Sequence, residues 1–386
     1  MIKKLLISFT FLFGSLALLA QNDPGEAVAL YNEGKFEEAV VQFEKLYKKQ
    51  PSEYYYTFLL NCYRELGQFE DAENVIKKRV RKSGDPLLWI DLGYFQKLEN
   101  KEEEAANSFN EALFAINTNP GIAFPISEKF AKYGYFDLAL KAYEVAEAIS
   151  PSLRFNYQKG LIYAEMGDME NMYREYLELI DYSPNYYNNV KARIARNIND
   201  DPENKANAIL KRQLIKRIQT TQNTLYNELL IWLYTEEMEY AKALRQLKAL
   251  DKREGNRDSE IFNLGEKAAA KNEFFLAEEC YSYVISKGEL SGFYEDALFE
   301  KLNVSRKGLL SNPATTSKEY EKLVKEHYLV IEELEGTPNY VLLKANIASI
   351  EYFNLGNKDS AISILNNTIS RFENTFKRPI AECKML

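Results

Sequence analysis

Pro86-Leu87-Leu88-Trp89-Ile90-Asp91-Leu92-Gly93-Tyr94-Phe95-Gln96 opens the stretch that decides the fold, and the stretch runs on to Pro120. Trp89, Leu92 and Gly93 stand at the spacing W-x2-L-G. Ala105, Phe109 and Ala112 follow, four and three residues apart, on one face of a second helix. The segment therefore reads as two short helices joined by a turn, each with a narrow apolar stripe and neither able to bury that stripe alone.

Copies of the same unit flank it. Gly34-Lys35-Phe36-Glu37-Glu38-Ala39 precedes Phe43, Leu46 and Pro51, and Gly67-Gln68-Phe69-Glu70-Asp71-Ala72 precedes Ile76 and Gly84-Asp85-Pro86. Ala39, Ala72 and Ala105 are 33 residues apart. A fourth copy holds Ala139 and Tyr143, and a fifth holds Gly160, Tyr163, Gly167, Tyr176 and Pro184. Small residues at fixed places mark close approach of helix backbones, and the rings of Phe43, Phe109, Tyr143 and Tyr176 fill the wider gaps. Beyond Asn185 the pattern loosens. Tyr186–Asn199 reads as a helix, Asp200-Asp201-Pro202 as a turn with Pro at a first helical position, and Glu203–Gln219 as the next helix. Leu225, Leu229, Trp232 and Ala241 start another pair, and Gly265 with Ala277 restores the pattern. A divergent pair follows around Asn312-Pro313, and a last good repeat carries Ala345, Ala348 and Ala361.

A repeat of 33 residues with W-x2-L-G and Ala-x3-Phe resembles the tetratricopeptide repeat family. The resemblance implies an all-α fold, a right-handed α-α superhelix of antiparallel helix pairs. The expected organisation is a leader at 1–20, an array of about five repeats over 21–184, a divergent helix pair over 185–223, a second array over 224–375, and the start of a further helix at 376–386. That last segment has no polar cap, so the chain reads as a fragment of a longer protein or as an edge that docks elsewhere through Ile380, Met385 and Leu386. In the family, the first helices of successive repeats line a concave groove. By that alignment Tyr54, Phe58, Asn61, Ile90, Asp91, Tyr94, Phe124 and Tyr157 are the candidate groove residues, each ring serving either the groove or the neighbouring repeat. The packing positions are Ala39, Ala72, Trp89, Leu92, Gly93, Ala105, Ala139, Gly160, Gly265, Ala277 and Ala361. The family's clamp of Lys, Arg and Asn for a chaperone's C-terminus does not transfer. Asn61 stands at a suitable position, but Asp91 and Tyr94 occupy places where the next repeat would supply clamp residues.

Composition narrows the function. Hydrophobic residues at 46% can build a long core, charged residues at 27% suit amphipathic helices, and the scarcity of Gly (17) and Pro (11) argues for continuous helical repeats over linked domains. Lys3-Lys4 ahead of the apolar run Leu5–Ala20, with Ala20-Gln21 at the junction, predicts a cleaved export signal. The 16-residue run falls short of the ~20 that a spanning helix needs, and Gln21 disfavours a lipoprotein. The expected mature chain is exported to the periplasm or cell envelope, with no transmembrane segment.

Cleavage moves the formal charge from −8 to −10, which argues against nucleic acid. The cluster Lys77-Lys78-Arg79-Val80-Arg81-Lys82 falls where a helix ends and cations complement exposed carbonyls. Cys62, Cys280 and Cys383 lie too far apart in a solenoid to pair, and none has C-x-x-C spacing.

His327 is the only histidine, so the His-based zinc and Ser-His-Asp arrangements lack their parts. The acidic pairs Glu37-Glu38, Glu70-Asp71 and Glu102-Glu103-Glu104 recur where second helices begin, which suits the helix dipole more than acid-base catalysis. The reading is a non-enzymatic scaffold that binds a protein or peptide in its groove, with no catalytic, metal or cofactor residues. The alternatives are a structural subunit of an outer-membrane or secretion complex docked through the C-terminal edge and, remotely, an unrecognised enzyme.

Overall fold

Gly34, Gly67 and Gly134 take φ of 75°, 69° and 79°, the left-handed region that closes a tight turn between two helices. Asn100 and Asn272 take the same role at φ 60° and 63°, and Met238 takes it at φ 55° although it carries a bulky side chain. The computed structural model describes residues 24–201 and 203–386, and every regular element among them is helical. The expected leader at 1–20 and the place given to Pro202 lie outside the described residues.

The chain forms two compact units that divide between Asp168 and Met169. The first contains α1 Pro24–Asn32, α2 Phe36–Lys49, α3 Glu53–Leu66, α4 Phe69–Ser83, α5 Leu87–Leu98, α6 Glu102–Phe114, α7 Ala123–Lys132, α8 Phe136–Ile149 and α9 Asn156–Glu165. Each helix packs on its neighbours in sequence, and α5 also touches α7, so the odd-numbered helices form one layer and the even-numbered ones another. The acidic pairs do sit in the first turns of α2, α4 and α6, where they complement helix N-termini left without side-chain caps. Arg81 and Lys82 close the last turn of α4.

The second unit contains α10 Met169–Tyr182, α11 Tyr187–Ile194, α12 Lys205–Thr220, α13 Thr224–Glu236, α14 Tyr240–Glu254, α15 Asp258–Ala270, α16 Phe274–Ile285, α17 Tyr294–Ser311, α18 Ser317–Ile331, α19 Pro338–Phe353, α20 Lys358–Phe372 and α21 Lys377–Met385. The division falls inside the expected fifth repeat because α10 packs on α11 and α12, and Tyr226 of α13 donates to the Leu177 carbonyl at 3.0 Å. The helix expected over 186–199 is shorter, with a 3-10 turn at Pro184–Tyr186 before α11 and another at Ala195–Asn197 after it. The helix expected from Glu203 begins at Lys205, because the Asn204 side chain accepts from the Ala206 and Asn207 amides and acts as its cap. In α21, Ile380 and Cys383 are buried against Val341 and Phe372, so Ile380 is not part of an exposed edge, while Met385 and Leu386 are exposed.

The packing positions behave as small residues between helices should. Ala39, Ala72, Ala105, Ala139, Ala277 and Ala361 are buried, as are Leu92, Gly93, Gly160 and Gly265. A Cβ on Gly93 would lie 2.3 Å from Phe109 Cε1, and one on Gly265 would lie 2.8 Å from Tyr281 Cε1. Trp89 differs from the rest. It is half-buried and packs at the junction of two core clusters. All three cysteines are unpaired and buried.

Candidate functional site

Three odd-numbered helices of the first unit converge on one buried carboxylate. Asp91 on α5 is 2% exposed. It accepts from Tyr56 Oη of α3 at 2.9 Å, from Lys129 Nζ of α7 at 2.7 Å, and from Tyr133 Oη just beyond α7 at 2.6 Å. Charge-assisted bonds of this kind are roughly twice as strong as neutral ones, and in a water-poor setting they fix register as well as energy. Burial first, and then the Asp91 charge, push both tyrosine phenols well above the usual range. They therefore hold their protons and remain donors. The carboxylate thereby ties together helices from three successive repeats.

Above it lies a recess of about 210 Å3, into which Thr57, Asn61 and Arg64 face from α3, Tyr94 from α5 and Lys132 from α7. Tyr94 stacks on Tyr133, with centroids 4.1 Å apart and planes 15° apart. Arg64 pairs with Glu65 at 2.6 Å. The Asn61 amide bonds to none of the described residues, and it opens into the recess. A carboxamide offers both donors and an acceptor, the set that matches an extended peptide backbone.

The candidate groove residues separate into three groups. Asn61, Asp91 and Tyr94 come together at the recess. Ile90 does not belong to a groove: it is 0% exposed, in a core cluster with Ile126 and Phe130, because α5 is wrapped on more than one side. Asp91 itself forms the floor and is already spoken for by its three donors. Phe58 serves the neighbouring repeat, stacking on Phe43 at 4.9 Å with Tyr31 edge-on at 4.9 Å. Tyr54 (54% exposed), Phe124 (42% exposed) and the half-buried Tyr157 lie outside the recess. Tyr54 leans on Phe58 at 5.0 Å. Pro125 is accommodated because it falls in the first turn of α7, where no preceding carbonyl awaits its missing N–H.

Sequence reasoning missed Tyr56, Lys129 and Tyr133, the partners of Asp91. They lie 35, 38 and 42 residues from it, close to one repeat length. That periodicity is the signal that points to them, since residues about one repeat apart on first helices are neighbours in a solenoid. Among the described residues no helix is long and apolar enough to cross a membrane.

A family model described as "Tetratricopeptide repeat" matches residues 153–186. The match therefore falls on the repeat with Gly160, Gly167 and Tyr176 and not on Pro86–Pro120. No curated protein matches the chain. Among solved structures, the C-terminal part of a TPR repeat-containing protein from Cytophaga hutchinsonii is 18% identical over 71% of this chain and 98% of its own, at a TM-score of 0.28. A tetratricopeptide repeat protein from Parabacteroides merdae is 12% identical over 71% and 94%, at 0.24. Yeast Tom70 is 13% identical over 94% of each chain, at 0.28.

Proposed function

We propose that this protein is a non-enzymatic interaction scaffold that holds an extended segment of a protein partner on the first-helix face of its N-terminal unit, in a bacterial cell envelope. The observation that carries the reading is the Asn61 amide, open in a recess whose walls are fixed by the Asp91 cluster and by the Tyr94–Tyr133 stack. A pre-organised wall costs little ordering entropy when a segment binds, and tyrosine rings supply contact area with few rotatable bonds. Helical repeats of this architecture commonly serve as protein-interaction scaffolds. The envelope assignment rests on Lys3-Lys4, the apolar run Leu5–Ala20 and the junction at Gln21.

The test is affinity capture from envelope fractions in mild detergent, comparing the wild-type chain with Asn61→Ala, with Tyr94→Ala and with a chain lacking α21. Loss of a captured protein in the first two variants, at an unchanged melting temperature, supports the recess. A partner kept by both and lost only with α21 contradicts it and supports docking through the C-terminal helices. Secretion is checked separately by N-terminal sequencing of the mature chain, which should begin at Gln21.

A further inference from the structure

The C-terminal unit holds a larger groove of about 530 Å3 between α11, α13 and α15, with Leu247 of α14 behind it. Lys191 of α11 lies over the ring of Trp232 on α13, 5.3 Å from its centre. Burial pushes the Lys191 ammonium below the usual lysine range; the charge of Glu236 opposes that shift, Lys267 on α15 adds to it, and Glu228 opposes it. Neither lysine pairs with a carboxylate among the described residues. The groove's acids are otherwise engaged, for Arg257 pairs with Glu228 at 3.1 Å and with Glu260 at 3.0 Å. Several other cations of this unit do have partners, Lys211 with Glu237, Arg217 with Asp181, Lys248 with Glu279 and Lys287 with Asp251, each at 2.7 Å, while Lys344, lying over Tyr328 and Tyr340, resembles Lys191 in being pushed down by burial.

With Glu228 held by Arg257 and the exposed Glu236 outside the groove lining, a half-desolvated ammonium beside a second cation still gains from a further anion, so this groove favours negative charge. Its walls select for something more. Tyr187, Ile231, Trp232 and Leu264 present apolar surface beside the two lysines, and the exposed Asn263 amide, bonded to none of the described residues, adds a donor and an acceptor. A free inorganic anion uses the charge and wastes the walls, whereas an extended peptide brings carboxylate, apolar side chain and backbone together. We propose that this groove is a docking site for an acidic segment of a partner protein, whose carboxylate side chains meet Lys191 and Lys267 while an adjacent large apolar side chain packs beside Trp232. The proposal does not depend on the role given to Asn61 and Tyr94.

Trp89 and Trp232 are the only tryptophans, so Trp89→Phe makes Trp232 the sole reporter. The full chain with that change is screened against an array of N-acetylated, C-amidated random hexapeptides, and enriched peptides are titrated by Trp232 emission. The expected result is enrichment of Asp or Glu beside Leu, Phe or Trp, with a shift in Trp232 emission on binding. Affinity should fall about tenfold or more when Lys191→Gln and Lys267→Gln are combined, and similarly when the peptide acids are replaced by their amides. Raising salt should weaken binding of the acidic peptide but not of its amide analogue. Lys191→Gln removes a poorly solvated charge and should leave the melting temperature unchanged or higher, which separates loss of binding from loss of fold. The proposal is overturned by absence of enrichment, by enrichment of neutral or basic peptides, by silent Trp232 emission, or by affinity that ignores both lysine changes.

Discussion

Gly93→Ala sets two opposing effects of known size against each other. In an exposed helix interior the change is favourable by about 1 kcal/mol, because alanine restricts the unfolded chain more than glycine does. At position 93 the new Cβ would lie 2.3 Å and 2.6 Å from two ring carbons of Phe109. Ordinary contact needs about 3.4 Å or more, so the ring must move by roughly 1 Å. It has little room, since Phe109 is buried with Tyr135 at 4.9 Å and Phe130 at 5.5 Å from its centre. Overpacking of this kind costs ~1–3 kcal/mol beyond any propensity gain. We therefore expect a net loss of about 1–3 kcal/mol. Gly308→Ala is the control: a Cβ there meets Phe274 at 3.6 Å, ordinary contact, and should stabilise by about 0.5–1 kcal/mol. Urea unfolding reads both as shifts in midpoint at constant slope. In a Phe109→Leu background the Gly93→Ala penalty should shrink, since the smaller side chain can give way. The reasoning fails if Gly93→Ala stabilises as Gly308→Ala does, or if its penalty is the same with leucine at position 109.

Asp91→Ala should destabilise the N-terminal unit by about 3–5 kcal/mol, because it strands Lys129, the buried Tyr56 phenol and the half-buried Tyr133 phenol, and Asp91→Asn should cost less; urea unfolding measures both. His327 is fully buried, with Nε2 unbonded and Nδ1 against the Leu323 carbonyl, and burial lowers its pKa to about 4. The unfolded state therefore binds the extra proton between about pH 6.5 and pH 4, so this group's contribution is complete above pH 6.5 and is lost as pH falls, by roughly 3 kcal/mol at the low end. His327→Leu should flatten that part of the stability–pH curve. Met238→Gly relieves a left-handed φ of 55° and should raise the melting temperature, by the equivalent of about 1 kcal/mol. The buried thiols of Cys62 and Cys280, pushed up to about 11 and about 12, should react with an aromatic disulfide reagent only after unfolding.

Helix pairs were legible in the sequence wherever the turn used glycine and the second helix opened with acids, as at Gly34-Lys35-Phe36-Glu37 and Gly67-Gln68-Phe69-Glu70. Where Asn100 or Asn272 fills the left-handed position the pair was still legible, from Trp89, Gly93 and Ala105 in one and from Gly265 and Ala277 in the other, whereas at Met238 the turn gives no such signal. The groove was legible only in part, for a reason visible in α5. Seven of its twelve residues are buried, including Ile90, Asp91 and Gln96, so no single apolar stripe marks which side faces the core. An aspartate in that setting reads as a surface residue until its partners are known, and they lie more than thirty positions away. Phe58 shows the converse, an aromatic ring at a groove position that closes onto Phe43. The C-terminal groove lay beyond pattern reading altogether, because Lys191 falls in the divergent segment and its significance comes from Trp232 on another helix.

Site-specific photocrosslinking in the intact envelope tests the central claim most directly. A benzophenone side chain is placed at Thr57 or Lys132, which line the recess without joining the Asp91 cluster, and at the exposed Glu111 of α6 as a comparison. A scaffold that binds through its first-helix face predicts one discrete adduct from positions 57 and 132, abolished by Asn61→Ala, and none from position 111. Adducts from position 111 alone, or adducts at 57 and 132 that persist in Asn61→Ala, contradict it.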